Sequence, residues 1–368
     1  MNYNMIKHIH EEPKTLENTL TMESDAIENL SSELSRKKID SILITGCGSS
    51  YHVGVAVKYT FENLLKLPVD TLPADEVAYP LFPRQLLNER RLVIVISRSG
   101  EKGDAISAAR KSKECGATTT AVTATPDSLL AREMERVILT HEGSEFSQPK
   151  TKSVISAIGA LNLLAIHLSK LNASRKAEMI KELESTPRVI DRIFIDSEDH
   201  IKTIGNRFKA YNDMFLAGSG PNYATAIEGA LKLKETSGIH AEGYTMGEVT
   251  QGPPVLLNSN WAFISLITSG NFEKALGMLN TAKKMGAETF TVTSRETQEL
   301  GRLSDHVISI PAEVNEVFTP LVYIPPLHLL AYYIAEAKGL NPDDPKGFDL
   351  VLKLILEPGR KEPEMRKQ

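Results

Sequence analysis

The chain has 368 residues, a length that predicts about two domains of ordinary size. Hydrophobic residues make up 41% of the chain and charged residues 24%, which is typical of a globular protein, and a formal net charge of −5 gives no electrostatic basis for binding nucleic acid. Only two cysteines, Cys47 and Cys115, are present, which excludes a disulfide framework and a structural zinc cluster and favours a reducing compartment.

The start of the chain is unlike a signal peptide. The first residues, MNYNMIKHIHEEPKTL, place charges and a proline where a signal peptide needs an apolar core. The longest apolar stretch that we identify, near residues 157–168, is too short to span a bilayer. We therefore predict a cytoplasmic protein with no membrane partner, whose residues 1–40 form an N-terminal helical segment.

Residues 41–170 alternate apolar runs with helical stretches. The runs SILITG, RLVIVIS and GATTTAVTA have the composition of strands, and AISAARKSKE between the last two has the pattern of a helix. Strands and helices that alternate at this length form right-handed βαβ crossovers and a mostly parallel sheet. The predicted fold class is therefore α/β.

The same pattern returns in residues 199–340. Gly46 and Gly48 of ILITGCGSSY match Gly218 and Gly220 of MFLAGSGPNY, each 172 positions later. Further along, ECGATTTAVT matches KMGAETFTVT at an offset of 170 positions. Because each offset holds at several positions, we interpret the chain as a duplicated domain.

The segments outside the two copies are polar. Residues 171–198, between the copies, are predicted to form a helical connector. Residues 341–368 are charged and poor in apolar side chains, and they are predicted to form a mobile C-terminal tail.

Two loops of the first copy are rich in hydroxyl groups and suit a phosphate monoester. They contain Ser49 and Ser50 in GCGSSY, and Ser97, Arg98, Ser99 and Lys102 in SRSGEKGD. Ligands of open α/β sheets lie beyond the carboxyl ends of the strands, where helix starts offer unpaired N–H groups. Hydroxyl groups and cations beside those N–H groups complete a phosphate site.

A third candidate loop is SQPKTKS, in which Thr151 lies between Lys150 and Lys152 at the start of another helix. In the second copy ITSGNFE lacks the extra serine and the arginine of ISRSGEK. We therefore expect phosphate in the first copy.

Two other interpretations of these loops stay open. GCGSSY also resembles a dinucleotide fingerprint, although Tyr51 occupies the position of the third glycine of GxGxxG. In the other interpretation, the serines only cap the helices that follow them. Two hydroxyl-rich loops in one copy favour phosphate over both.

In the second copy, EGALKLKE places three charges on one face of a predicted helix. Glu228, Lys232 and Glu235 are four and three positions apart, which is the spacing of neighbours on a helix surface. This spacing fits a solvated row of charges as well as a site, so both interpretations stay open at this point.

Taken together, these motifs resemble the tandem-domain members of the sugar isomerase (SIS) family, which include the isomerase half of glucosamine-6-phosphate synthase and the related glucosamine-6-phosphate deaminases. The resemblance extends over nearly the full chain, from IHEEPKTLENTL through GCGSSYHVG, SRSGE, TKS, GSGPNYATAIEGALKLKETSGIHAEGY and GEVTQGP to PLVYIPPLHLLAYYIAEAKGLNPDDP. It implies two SIS domains, and it matches the family's phosphate-binding loops to Ser50, Ser97, Arg98, Ser99 and Thr151.

The resemblance also implies roles for the helix face. The family's catalytic glutamate, which moves a proton between carbons 1 and 2 of an open-chain sugar phosphate, matches Glu235. Its lysine near the sugar ring matches Lys232, and an acidic residue one turn earlier matches Glu228. A single carboxylate that accepts and returns a proton suits this chemistry, and an adjacent ammonium neutralises developing enolate charge.

The sequence departs from the family pattern at several positions. Lys102 replaces a threonine of the synthase. Gln251 replaces the histidine with which a neighbouring subunit opens the sugar ring, and glutamine donates hydrogen bonds but does not exchange protons near neutral pH. His240 is a second candidate for ring opening, although a histidine at a helix end is more often structural. Leu350 occupies the position of a C-terminal lysine, with Lys353 three residues later.

We recognise no glutaminase domain and no N-terminal nucleophilic cysteine. The expected reaction is therefore conversion of glucosamine 6-phosphate to fructose 6-phosphate and ammonia. The alternatives are an isomerase or deglycase for another amino- or amine-linked sugar phosphate, and a non-catalytic sugar-phosphate-binding protein.

The expected partners follow from the same resemblance. The tandem family forms its active site at a dimer interface, so we expect a homodimer with a shared active site. The family's transcription regulators carry a DNA-binding helix-turn-helix domain before one SIS domain, a pattern this sequence does not show. No metal cluster or nucleotide motif is visible, so no cofactor is expected.

Overall fold

The computed structural model describes residues 3–101, 103–345 and 347, and its two sheets, each of five parallel strands, confirm the predicted α/β fold class. The first sheet contains β1 (Ser41–Gly46), β2 (Val69–Pro73), β3 (Arg91–Ile96), β4 (Thr118–Thr123) and β5 (Val137–Leu139). The second contains β6 (Asp213–Gly218), β7 (His240–Thr245), β8 (Trp261–Ile267), β9 (Glu288–Thr293) and β10 (His306–Ser309).

The two sheets have the same strand order, which is the structural form of the sequence repeat. The order is β2-β1-β3-β4-β5 in the first sheet and β7-β6-β8-β9-β10 in the second. Strand β1 pairs with both of its neighbours in parallel, with Ile42 opposite Val69 on one side and Leu92 on the other. Strands β3 and β8 are buried along their whole length, as expected for parallel sheets covered on both faces.

Helices connect and cover the strands. The helices are α1 (Asn4–His10), α2 (Glu12–Met22), α3 (Ser24–Leu34), α4 (Ser49–Leu65), α5 (Ala74–Ala78), α6 (Gly103–Glu114), α7 (Leu129–Glu133), α8 (Lys152–Leu168), α9 (Ala173–Phe208), α10 (Asn222–Ser237), α11 (Phe272–Lys284), α12 (Gln298–Leu303) and α13 (Thr319–Ala337). Helix α9 covers residues 173–198 of the predicted connector and continues ten residues past its expected end at residue 198. The first three helices lie within the N-terminal segment.

The two sheets share one apolar core. A single cluster of buried side chains runs from the N-terminal helices through both sheets and includes residues of α4, α8, α9, α10 and α13. Separate clusters fill the outer faces, one between the first sheet and α6 and one between the second sheet and α11. Helix α10 packs on α4 and α13, so the helix with the three charges lies between the two copies.

Helix α13 belongs to an apolar segment that was not identified from the sequence. The segment Glu316–Ala337 is longer than residues 157–168 and is long and apolar enough to cross a membrane. In the structure its apolar window is entirely buried against other parts of the protein, including α9 and α10. A helix that is apolar all round and covered in this way is typical of a protein core.

Candidate active site

A cavity of about 390 Å³ lies at the carboxyl ends of β1, β3 and β4. The loops that follow these strands form one side of the cavity, as expected for an open parallel sheet. The other side is formed by Leu231, Lys232 and Glu235 of α10. The structure therefore brings the hydroxyl-rich loops of the first copy and the charged helix face of the second into one site.

The loop after β1 enters α4 through a tight turn. Gly48 precedes the helix with φ +56°, a conformation that residues with a Cβ atom rarely adopt. Among the residues that the structure describes, no side chain caps this helix start. Ser50 lines the cavity, and the hydroxyl of Ser49 donates to Glu228 Oε1 at 2.9 Å. Capping, the alternative interpretation of these serines, is therefore not what the structure shows at α4.

The loop after β3 contributes Ser97, Arg98 and Ser99 to the cavity wall. Its shape depends on Gly100, whose φ is +65° and where an added Cβ would lie 2.1 Å from Ser128 Oγ. Ser97 is 3% exposed, and within the described part of the chain its hydroxyl has no hydrogen-bond partner. Because an unsatisfied buried polar group costs about 1–3 kcal/mol, this hydroxyl is prepared to bind a ligand atom.

Arg98 faces two buried carboxylates behind the cavity. Its Nε lies 3.8 Å from Glu142 Oε1 and 4.0 Å from Glu145 Oε2. Burial raises the pKa of Glu142 to about 7, and the positive charge of Arg98 only partly opposes this rise. The positive charge of Arg98 is therefore only loosely paired within the protein and is available to an anion.

Thr151, predicted to bind phosphate, does not line the cavity. It is fully buried, and both its backbone N–H (2.8 Å) and its hydroxyl (3.2 Å) donate to Glu145 Oε1. The same carboxylate accepts from the backbone of Lys152 and the hydroxyl of Ser153, so it occupies the N-terminus of α8 where a phosphate was expected. Lys150 and Ser153 line the cavity instead.

Two of the three charges of α10 are buried, and the third is partly exposed, so the face is not a solvated row. Lys232 is 0% exposed and Glu228 is 1% exposed, whereas 20% of the Glu235 side chain remains accessible at the cavity. The ammonium of Lys232 lies 2.5 Å from Glu235 Oε2 and 3.4 Å from Glu228 Oε1. Burying three charges without partners would cost several kcal/mol for each, so this arrangement is stable only as a network.

The network keeps its buried members ionised. Burial by itself raises the pKa of Glu228, but the ammonium of Lys232 and contacts with two histidines outweigh burial and hold that pKa well below its ordinary value. Burial likewise lowers the pKa of Lys232, but the carboxylates of Glu235 and Glu228 raise it above its ordinary value. At neutral pH a carboxylate and an ammonium therefore stand directly behind Glu235.

Two histidines that the sequence analysis did not assign complete the network. His52 of α4 lies 2.7 Å from Glu228 Oε2 through its Nδ1. His328 of α13 lies 3.9 Å from Glu228 Oε1 through Nε2 and 2.6 Å from Glu12 Oε1 through Nδ1. A histidine in the otherwise apolar run of α13 is a sequence signal for a buried polar contact, and the spacing of the charges on α10 does not include it.

The two candidates for ring opening lie away from this cavity. His240 is the first residue of β7 in the second sheet and does not line the cavity, and its exposed ring is paired with Asp213 (2.9 Å) and Glu242 (3.2 Å). It is a strand-end residue, not the helix-end residue that was expected. Gln251 is exposed after a short 3₁₀ turn, and its Nε2 donates to Thr250 Oγ1 at 3.1 Å.

Three predicted positions lie outside the described residues, namely Lys102, Leu350 and Lys353. Within the part of the chain that the structure describes, no group of three or more His, Cys, Asp or Glu side chains is arranged to hold a metal ion.

Comparison with known proteins identifies relatives of the whole fold. A family model described as the SIS domain matches residues 33–167 and 208–335. The isomerizing glutamine–fructose-6-phosphate aminotransferase of Methanothermobacter thermautotrophicus is 35% identical over 343 residues, which are 93% of this chain and 56% of that protein. The corresponding enzyme of Gloeobacter violaceus is 36% identical over 355 residues, 93% of this chain and 57% of that protein. The chain thus spans little more than half the length of these curated relatives.

Solved structures show the same architecture. The C-terminal domain of glucosamine-fructose-6-phosphate aminotransferase from Francisella tularensis superposes with a TM-score of 0.85 at 28% identity, covering 94% of this chain and 99% of that one. A glucosamine-6-phosphate deaminase from Thermotoga maritima gives a TM-score of 0.73 at 22% identity, covering 93% and 97%. At that lower identity the similarity concerns the fold alone.

Proposed function

The chain belongs to the SIS domain family, whose domain it contains twice, and we propose that it is a sugar-phosphate isomerase that converts glucosamine 6-phosphate to fructose 6-phosphate and ammonia. The observation that carries this proposal is the meeting of two features in one cavity. The partly exposed carboxylate of Glu235, backed by Lys232, faces the same space as the unpartnered hydroxyl of Ser97.

The phosphate would bind at the loops of the first copy. Ser50, Ser97 and Ser99 offer hydroxyl groups to its oxygens, and Arg98 offers a loosely paired positive charge. Charge-assisted hydrogen bonds of this kind are about twice as strong as neutral ones. A phosphate held here leaves carbons 1 and 2 of the open chain to reach across the cavity towards α10.

Glu235 would carry the proton between those carbons. Its carboxylate takes the proton from carbon 2 of the open-chain aldehyde, the C–H electron pair forms the double bond between carbons 1 and 2, and the oxygen on carbon 1 takes a proton from solvent to give an enolamine. The same group returns the proton to carbon 1, which leaves an iminium at carbon 2. Water adds to the iminium carbon, one proton of that water moves to nitrogen and the other returns to solvent, and the C–N bond breaks to release ammonia and the ketone of fructose 6-phosphate. The Lys232 ammonium, 2.5 Å from Glu235 Oε2, holds that carboxylate in place.

We further propose that the active unit is a homodimer in which Gln251 enters the site of the partner. Gln251 is exposed and does not line the cavity of its own chain, and Val255 and Leu256, four and five positions later, are 80% and 53% exposed. Apolar side chains exposed next to each other are typical of an interaction surface. A glutamine supplied in this way would hydrogen-bond the sugar rather than open the ring by proton transfer.

A second candidate is the same isomerisation on a different amine-linked sugar phosphate. Gln251 favours it, because a ring-opening acid or base is then not required from that position. Lys150, which lines the cavity, adds a cation beside Arg98 and would suit a larger or more acidic substituent on nitrogen.

The proposal is tested by incubating the purified protein with glucosamine 6-phosphate and measuring ammonia and fructose 6-phosphate, and by running the reverse reaction with added ammonia. Glu235→Gln should abolish turnover while preserving binding of the sugar phosphate. Glu184→Gln, an exposed glutamate on α9, is the matched control and should behave like the unmodified protein. Binding without turnover in the unmodified protein would reject the deaminase proposal and favour a sugar-phosphate sensor. Turnover retained in Glu235→Gln would reject Glu235 as the base.

A further inference from the structure

A row of buried charges continues behind the active site to the N-terminal segment. From Glu235 it passes through Lys232, Glu228 and His328 to Glu12, with successive distances of 2.5, 3.4, 3.9 and 2.6 Å. All members except Glu235 have side chains that are at most 1% exposed. Negative and positive groups alternate along the row when His328 is an imidazolium.

Three helices contribute the groups that face Glu228, and a fourth holds one of those groups. Its own helix α10 supplies Lys232, and α4 supplies Ser49 and His52. Helix α13 supplies His328, and α2 holds that imidazole through Glu12. The row therefore joins the N-terminal segment and both copies of the domain at one carboxylate.

We propose that Glu12 and His328 are positioning residues for the proposed reaction, an ion pair that balances Glu228 from behind and so leaves the ammonium of Lys232 shared with Glu235. The inference rests on the proposed function, in which Glu235 is the base. Neither Glu12 nor His328 lines the cavity, so each acts through Glu228 and Lys232.

The physical reason is competition for one cation. Without a positive charge on His328, the carboxylate of Glu228 depends more on Lys232 and draws its ammonium away from Glu235. Glu235 then loses stabilisation of its ionised form, which is the form that removes the proton from carbon 2.

The charge state of His328 supports this arrangement. Burial lowers the pKa of its imidazole, but the charge of Glu12 and its hydrogen bond, followed by the contact with Glu228, raise it to about 9. Burial and the charge of Glu145 raise the pKa of Glu12, whereas the charge of His328 and its hydrogen bond oppose that rise. Each member therefore favours the ionised form of the other, and removal of one partner favours the neutral form of the residue that remains.

A buried ion pair is not needed for packing at this position. Replacing such pairs by well-packed neutral groups is often neutral for stability or stabilising, whereas removal of one partner is strongly destabilising. Two hydrogen-bonded amides would fill nearly the same space as a carboxylate and an imidazole. An effect on the reaction that survives this replacement would therefore come from the charges.

The experiment compares Glu12→Gln, His328→Gln and the double variant in the glucosamine 6-phosphate assay across pH. Each single variant should lower kcat at pH 7 about tenfold, at the lower end of what supporting hydrogen-bond partners contribute in metal sites. KM should stay within about twofold, and the acid limb of the kcat profile should move to higher pH. Because the pair acts as a unit, the double variant should show the same shift as either single variant while recovering thermal stability.

The pair His10–Glu198 provides a matched control. It also ties the N-terminal segment to another helix, at 2.9 Å, but it is not part of the row. His10→Gln with Glu198→Gln should leave the acid limb in place. If His328→Gln lowers the melting temperature but leaves the acid limb unmoved, the pair is only structural and the proposal is overturned.

A second readout does not depend on turnover. The protonation state of His328 can be followed by NMR of its imidazole nitrogens, and it should be imidazolium at pH 7.5 in the unmodified protein and neutral in Glu12→Gln. A neutral His328 in the unmodified protein would overturn the proposal. If the unmodified protein binds glucosamine 6-phosphate without converting it, the proposed function fails, and this measurement still decides the charge of the row.

Discussion

Lys232 and Glu235 are three residues apart on α10, and the buried ammonium of Lys232 lies 2.5 Å from Glu235 Oε2. The same ammonium lies 3.4 Å from Glu228 Oε1, so one cation serves two carboxylates on one helix. Of these two carboxylates, Glu235 lines the cavity and Glu228 does not. The proposed division into a reacting carboxylate and a supporting one therefore follows from depth of burial.

The first prediction concerns the shared cation. Lys232→Met should remove activity and destabilise the protein by about 3 kcal/mol, because it leaves the buried carboxylate of Glu228 without its nearest positive charge. Lys234→Met, two positions along the same helix but exposed, should change neither property. Denaturant unfolding and turnover of the two variants provide the comparison, and equal stability loss in both would contradict the network.

The second prediction uses the repeat as its control. Ser99→Ala should raise KM for the sugar phosphate about tenfold or more, since a hydrogen bond to a charged group contributes about 1.5–3 kcal/mol. Ser269, 170 positions later, is the equivalent serine of the second copy and is exposed. Ser269→Ala should leave KM unchanged. A similar rise in both variants would remove the reason for placing phosphate in the first copy.

The third prediction concerns pH and Glu142. Burial raises its pKa from 4.5 to about 7, so between these values the folded protein binds more protons than the unfolded chain does. Stability from this group is present at low pH and is lost as pH rises through 7, by at most about 3 kcal/mol. Glu142→Gln should therefore raise the melting temperature at pH 8 and change it little at pH 5. An equal change in melting temperature at both pH values would show that Glu142 does not titrate between pH 5 and pH 8. Glu184→Gln is the exposed control.

The fourth prediction concerns the proposed shared active site. If Gln251 acts in the partner's cavity, Gln251→Ala and Glu235→Gln impair different halves of one composite site. Mixed and re-equilibrated, the two variants should form hybrid dimers with one intact site and recover up to about a quarter of the unmodified activity. No recovery, with hybrid dimers demonstrated by native mass spectrometry, would place both residues in the site of one chain.

The fold could be predicted from the sequence because the patterns that indicate its strands and helices lie within short segments. Buried strands such as β1 and β3 have continuous apolar runs, and the repeat offset places their counterparts β6 and β8. The apolar character of α13 was missed because Pro325, Pro326 and His328 interrupt its sequence, although residues 319–335 of the helix are all buried.

The candidate site could be predicted only in part from the sequence, because contacts between residues far apart along the chain form it. Spacing placed Glu228, Lys232 and Glu235 on one face but left open whether that face meets solvent. His52 and His328 reach Glu228 from segments 176 and 100 positions away along the chain, a relation that periodicity does not contain.

Thr151 shows a second limit of the sequence. Its loop has the residues of a phosphate site. However, the carboxylate of Glu145, six residues earlier in the chain, accepts the hydrogen bonds of the N–H groups at the start of α8. Side-chain geometry decides which acceptor binds a helix N-terminus. The sequence alone does not distinguish a carboxylate of the chain from a bound phosphate as that acceptor.

The central claim is that Glu235 transfers a proton between carbons 1 and 2, and the most direct test is hydrogen exchange with solvent. Glucosamine 6-phosphate or fructose 6-phosphate would be incubated with the protein in D₂O, and deuterium at carbons 1 and 2 followed by NMR. The unmodified protein and Glu184→Gln should introduce deuterium, and Glu235→Gln should slow its entry by a factor of about 100 to 10,000, the usual contribution of a general base. Exchange at the same rate in Glu235→Gln would contradict the assignment.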